Sequence, residues 1–239
     1  MKDNKAHKWD QEIGLVEFFR TFQGEYPLLG SPVFLVRFPG CNLKESCPLD
    51  CDTKYSWGSD PKVFITPNQI LAKSFSFDDL MITGGEPLSS ENREQVWDLV
   101  DFWFKTTDSR VIIETNGTMF YPEKDYYYKQ WEFLDGPNSE RLYISISPKT
   151  DDSFSFLELE PPMYNLSLKV VVGKDFYPTQ WASRLRAAEN MGISIVLMPE
   201  GKTIEDIKRS LSYISQFAKN ARLNRFLLSP RVHILAGFK

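Results

Sequence analysis

The chain has 239 residues, 42% of them hydrophobic and 14% aromatic, which suffices to bury a substantial core and suits one domain better than two. A formal charge of −4 and an isoelectric point near 5.4 leave no basic footprint for a phosphate backbone, so nucleic acid is excluded as the main partner in favour of small molecules or proteins. No apolar run approaches the roughly 18 to 20 residues that span a bilayer, and the opening MKDNKAHKWDQEIG has no apolar signal core, so a cytoplasmic chain with no membrane partner is expected.

In chain order, PVFLVRF (32–38) reads as the first buried strand. Thr66 and Pro67 then give an N-cap and a first-turn proline before NQILAK. LMIT (80–83) is the second strand, and SSENREQVWDLVDFWFK puts Val96, Leu99, Val100 and Trp103 on one helical face. RVIIET (110–115) is the third strand. The aromatic segment over about 119–140 breaks the rhythm and reads as an excursion. LYISIS (142–147) and LSLKVVV (166–172) follow as strands; TQWASRLRAAENMG then carries Gly192 where a helix C-cap belongs. After ISIVLM (193–198), the segment TIEDIKRSLSYISQF sets Ile204, Ile207, Leu211 and Ile214 in a stripe. Strands alternating with helices imply a parallel α/β sheet or barrel, here in a single domain over 1–239.

All three cysteines, Cys41, Cys47 and Cys51, fall in the loop CNLKESCPLDC. An odd number on one short polar loop does not make a disulfide framework, and such a loop gives inert thiols no packing reason to gather. Clustered thiolates suit zinc or an iron–sulfur cluster. Zinc needs a fourth ligand, and the only histidines, His7 and His233, are not at finger spacing. Three thiolates alone point to a cluster with one open iron.

Ligands of parallel α/β folds sit at the carboxyl ends of the strands. There the chain has TGGEP (83–87), ETNGT (114–118), SPK (147–149) and PEG (199–201). Each alone can be an ordinary turn; together with the cysteine loop they line one rim.

This order of motifs resembles the radical S-adenosylmethionine (SAM) enzymes. FFRTFQGE (18–25), VRFPGCN (36–42), CDT (51–53), LMPEG (197–201) and SPRVHILAG (229–237) narrow the resemblance to the 7-carboxy-7-deazaguanine synthase family, over residues 15–237. It implies a partial (β/α) barrel with a mostly parallel sheet. It also implies a [4Fe-4S] cluster on Cys41, Cys47 and Cys51, with SAM chelating the open iron. SAM would be met by Gly84 and Gly85, with Glu86 a further partner, and by Thr115, Asn116, Ser147 and Lys149, although the glycines could merely cap a strand and Lys149 could be a surface lysine. The implied substrate is 6-carboxy-5,6,7,8-tetrahydropterin. Gln23 and Glu25 would read its edge, Thr83 would face it, and His233 would approach from the last strand unless it is a structural imidazole. Arg37, at a strand end, offers a fork for the carboxylate or else pairs with an acid of the protein. Thr53 resembles the position whose hydroxyl binds Mg2+, an oxygen-seeking ion, with Asp52 beside it. An electron donor such as a flavodoxin or ferredoxin and a homodimer are implied partners.

The spacing departs from the commonest Cys-x3-Cys-x2-Cys. Here it is Cys41-x5-Cys47-x3-Cys51, and Asp50 stands where an aromatic residue is usual before the last cysteine. Pro48 restricts Cys47 to extended backbone. Two alternatives remain at this point. A glycyl-radical activase would lack the Gln-Gly-Glu, Cys-Asp-Thr and terminal His signatures; a zinc-stabilised binding protein would take an acid or His as fourth ligand.

Overall fold

The computed structural model describes residues 9–120, 138–158, 165–174 and 179–237. Most of the expected excursion therefore lies outside the described residues. Ten strands are β1 (Ile13–Leu15), β2 (Glu17–Phe22), β3 (Pro32–Phe38), β4 (Val63–Ile65), β5 (Asp79–Gly84), β6 (Val111–Thr115), β7 (Leu142–Ile146), β8 (Leu166–Val172), β9 (Ser194–Pro199) and β10 (Leu227–Leu228). Strands β1 and β4 pair antiparallel by themselves; the other eight form one sheet in the order β10-β9-β8-β7-β6-β5-β3-β2. Only the β2–β3 pair is antiparallel in that sheet.

From β3 to β10 each new parallel strand is laid beside the last, without the reversal of order that marks a doubly wound sheet. The two faces differ accordingly. Phe34, Val36, Leu80, Ile82, Ile113, Ile144, Leu168, Val170 and Leu197 point to one face and share a core with helical residues such as Trp103, Leu185 and Phe217. The opposite face carries, among the described residues, a small apolar cluster of Val33, Leu35, Met81 and Ile112 that contains no helical residue, with Val171 and Met198 further along the sheet. Helices on one face of a progressively wound sheet make a partial barrel, and β2 and β10 remain as its open edges.

Among the described residues the α-helices are α1 (Pro67–Lys73), α2 (Arg93–Thr106), α3 (Ala182–Asn190), α4 (Ile204–Ala221) and α5 (Val232–Ala236). Thr66 accepts from the Gln69 N–H at 3.2 Å while the Gln69 side chain accepts from the Thr66 N–H at 3.0 Å, a reciprocal N-cap. Val96, Leu99, Val100 and Trp103 are fully buried, as their spacing requires. Gly192 ends the α3 segment at φ +82°. The stripe expected on α4 is rotated. Ile207, Ser210, Ile214, Phe217 and Ala218 are buried, whereas Ile204 and Leu211 are exposed, because the helix meets β8 and β9 along the 207–214–218 line.

Candidate active site

The open barrel end at the carboxyl termini of the strands encloses a cavity of about 770 Å³, within the range of small-molecule sites. Cys47 and Cys51 line it, and Cys41 lies buried behind them at the foot of the loop. Cys47 closes a short 3-10 turn, Lys44–Ser46, with φ −66° and ψ 124°, the extended backbone that Pro48 demands. Burial pushes the Cys41 thiol up, against the Lys44 and Leu43 backbone N–H groups, which favour its thiolate. The Thr53 N–H points at the Cys51 sulfur at 3.4 Å, and the Thr53 hydroxyl lies 3.3 Å from it. Among the described residues, no three His, Cys, Asp or Glu side chains converge on one point that could hold a single metal ion.

The loop after β5 is fitted to the cysteine loop. A Cβ on Gly84 would stand 2.4 Å from the Phe38 carbonyl oxygen, and one on Gly85 would stand 2.0 Å from that of Gly40. The glycines are required by the neighbouring strand end, and the Glu86 N–H donates to the Gly40 oxygen at 2.7 Å. Gly85→Ala should displace Gly40 and Cys41. Iron bound per chain after anaerobic reconstitution should fall well below wild type, and full loading would show that the loops can part without cost.

Glu86 is buried outside the cavity wall. Its carboxylate accepts from the Thr115 hydroxyl (2.6 Å) and from the backbone N–H groups of Asn116 (2.7 Å) and Leu88 (2.9 Å). Burial pushes its pKa up, and those three donors oppose the shift. The Asn116 side chain donates to Asn42 at 2.9 Å and accepts from Thr118, so Glu86, Thr115 and Asn116 join the first three rim loops to one another. Gly84, Gly85, Thr115, Asn116, Ser147 and Lys149 all line the cavity. The Lys149 ammonium donates to Ser147 at 2.7 Å, and burial lowers its pKa to about 8.

Across the cavity the inner sheet face becomes charged. Lys169, alone among the apolar residues of β8, reaches Glu25 at 2.5 Å and Glu114 at 2.7 Å, and is 3% exposed. Burial alone would raise Glu25. Lys169, then Arg231 and His233, outweigh it and hold the carboxylate at about 2. Burial likewise opposes the charge on Lys169, but Glu114 and Glu25 carry its pKa upward. Gln23 is 1% exposed and accepts from the Glu25 N–H at 3.2 Å, while its amide nitrogen has no partner among the described residues. A buried donor left unpaired at a cavity wall is free to meet a ligand.

Arg37 and Thr83 are register partners on β3 and β5, and both line the cavity. The Arg37 Nε donates to Glu17 at 2.8 Å, and Tyr55 shares that carboxylate at 2.6 Å, so the guanidinium does have an acid of the protein as partner. His233 lies on helix α5 rather than on a last strand; the chain after β10 turns at Pro230, and the imidazole packs on Gly24, where a Cβ would stand 2.3 Å from Nδ1. Burial lowers its pKa against the pull of Glu25, which is 3.9 Å away. Lys169, Glu114, Arg231 and Glu17 were given no role from the sequence, although Glu114 opens ETNGT and Arg231 lies in SPRVHILAG. For Lys169 a signal existed: one cation at an inner position of LSLKVVV has to find buried acids.

A protein of Aquifex aeolicus called 7-carboxy-7-deazaguanine synthase is 30% identical to this chain over 239 residues, covering 98% of this chain and 97% of its own length. Another of that name, from Thermoplasma acidophilum, is 34% identical over 226 residues, covering 92% and 94%. The chain belongs to the 7-carboxy-7-deazaguanine synthase family. The crystal structure of QueE from Escherichia coli shares the fold at a TM-score of 0.59 and 18% identity, covering 98% of this chain and all of that one. No protein-family model matches.

As a 7-carboxy-7-deazaguanine synthase homologue the chain is a radical SAM lyase, and the family implies a [4Fe-4S] cluster and SAM. The residues fit both groups. At one end of the cavity Cys47 and Cys51 offer thiols, while the neighbouring carboxylates of Asp50 and Asp52 are taken by Lys202 and Arg231. Beside the thiols, Gly84, Gly85 and Lys149 give a wall of backbone and one cation suited to an amino acid's carboxylate.

Proposed function

We propose that this chain converts 6-carboxy-5,6,7,8-tetrahydropterin to 7-carboxy-7-deazaguanine with loss of ammonia, in 7-deazapurine biosynthesis of the queuosine type, acting as a single radical SAM domain. The observation that carries the reading is the presence, in one cavity, of Cys47 and Cys51 together with the buried Gln23–Glu25–Lys169 group. Substrate and product differ by one ammonia, so no stoichiometric oxidant is needed.

Cys41, Cys47 and Cys51 would hold the cluster. Gly84, Gly85, Ser147 and Lys149 would meet SAM, with Thr115 and Asn116 contributing at the wall that Glu86 braces. When bound, these two groups together supply the 5′-deoxyadenosyl radical that takes a hydrogen atom from the substrate. The protein's own part is placement. The unpaired Gln23 amide donates to the pterin carbonyl, and Glu25, kept ionised by Lys169, accepts from the ring N–H and amino groups. Arg37, Thr83 and His233 would close the site around the carboxylate-bearing carbon and hold it in one orientation toward the SAM wall.

Thr53 is the proposed Mg2+ ligand, its hydroxyl turning from the Cys51 sulfur to the ion. Thr53→Ala should weaken the dependence of rate on added Mg2+ more than it changes SAM affinity. An enzyme stripped of divalent ions that shows no response to Mg2+ would remove the ion from the scheme. A flavodoxin or ferredoxin as reductant, a homodimer and a cytoplasmic location complete the proposal.

The deciding experiment is an anaerobic assay with reductant, SAM and the carboxytetrahydropterin. The expected result is 7-carboxy-7-deazaguanine by mass, with one ammonia released per product. Cleavage of SAM without that product would refute the substrate assignment.

A further inference from the structure

The third thiol, Cys51, is flanked by Asp50 and Asp52, and each acid is gripped by a cation from a distant loop. Lys202, after β9, reaches Asp50 at 2.6 Å, and Lys54 meets the same carboxylate at 3.0 Å. Arg231, just before α5, donates through one terminal nitrogen to Asp52, through the other to the Gly201 carbonyl at 2.5 Å, and through Nε to Glu25 at 3.2 Å. One guanidinium thus joins the cysteine loop, the loop after β9 and the Gln-Gly-Glu segment.

The two clamps are not equal. Asp50 and Lys202 have side chains 65% and 45% exposed, and such pairs contribute little. Arg231 is 12% exposed, and its three hydrogen bonds fix the planar fork. On the other side of Asp52, the Thr53 N–H holds the Cys51 sulfur. With an extra residue between Cys47 and Cys51, the loop needs an outside anchor to hold its last thiol, and Asp52 receives one.

We propose that Arg231 is a positioning residue for the third thiolate, holding Asp52 so that Cys51 keeps its place in the cavity wall. The role rests on the reading of the three thiols as cluster ligands.

The test is made on anaerobically reconstituted protein, by following transfer of iron to an excess chelator. Arg231→Met and Asp52→Asn should each speed iron release by roughly tenfold, the order expected for one charge-assisted hydrogen bond. The double variant should be no faster than either single, since both act through one contact. Lys202→Met should change the rate by less than about twofold. Asp52→Asn is nearly isosteric, and the melting temperature of the iron-free variant should fall by only about 3–6 °C, so that fast iron loss from a protein still folded reports the placement of the thiolate and not unfolding. The spectrum of the reduced cluster should shift in both single variants. Wild-type release rates in both single variants would overturn the role of Arg231, as would single effects that multiply in the double. Wild-type protein that takes up no four-iron cluster would instead bring down the functional reading itself, and this role with it.

Discussion

Lys169→Met should lower stability by about 3–5 kcal/mol, the cost of leaving buried charges without their partner. For a chain of this size that is a fall in melting temperature of roughly 6–20 °C. The size follows from position: the ammonium is 2.5 Å from Glu25 and 2.7 Å from Glu114, and methionine offers neither carboxylate a donor. The pH dependence identifies the cause. The folded pKa of Glu25, about 2, lies below its unfolded value near 4.3. Its stabilisation is therefore complete above that unfolded value and is lost as pH falls through the folded one. The gap between wild type and variant should be constant near neutrality and close between about pH 4 and pH 2. Urea unfolding across that range measures it, and a gap that ignores pH would assign the loss to packing instead. Adding Glu114→Gln to the variant should recover part of the stability, because one of the two stranded charges is gone.

Replacing any one of Cys41, Cys47 and Cys51 by Ala should abolish turnover and leave the iron-free protein folded. Cys47 and Cys51 are half-buried on a loop outside the core, so their variants should stay within about 0.5 kcal/mol of wild type. Cys41 is buried against the Gly40–Gly85 contact, and its loss should cost more, about 1 kcal/mol. Iron content, product formation and circular dichroism on the same preparations separate the two effects. Full turnover in any single variant would end the cluster assignment.

The fold was legible where the period of apolar residues is set by burial on the outer sheet face. The runs 32–38 and 166–172 coincide with β3 and β8, and the Thr66–Pro67 start of α1 follows from capping chemistry alone. Strand β2 was not seen as a strand, since EFFRTF alternates weakly and is held by its pairing to β3. The two residues of β10 are exposed and carry no pattern. The site was legible where a loop residue must be of one kind, as with the thiols and Gly84 and Gly85. Pairings between residues far apart in the chain were not. Arg231 and Glu25 are 206 positions apart, and nothing local ties Glu17 to Arg37 or Glu114 to Lys169. Such pairs exist only once β2, β3, β6 and β8 are side by side.

The segment 229–233 has a bearing on the order in which the protein can become competent. The Ser229 hydroxyl receives the Tyr26 N–H, the Val232 N–H reaches the Gly24 oxygen, and Arg231 and His233 meet Glu25. At about 5–20 residues per second, synthesis separates Glu25 from Arg231 by roughly 10–40 s. During that time the parallel strands through β9 can pair and bury their outer face on the helices, while the Gln-Gly-Glu segment waits with those polar groups in water. A ribosome-bound or truncated chain ending before residue 229 should therefore hold a native-like sheet and an unfinished cavity.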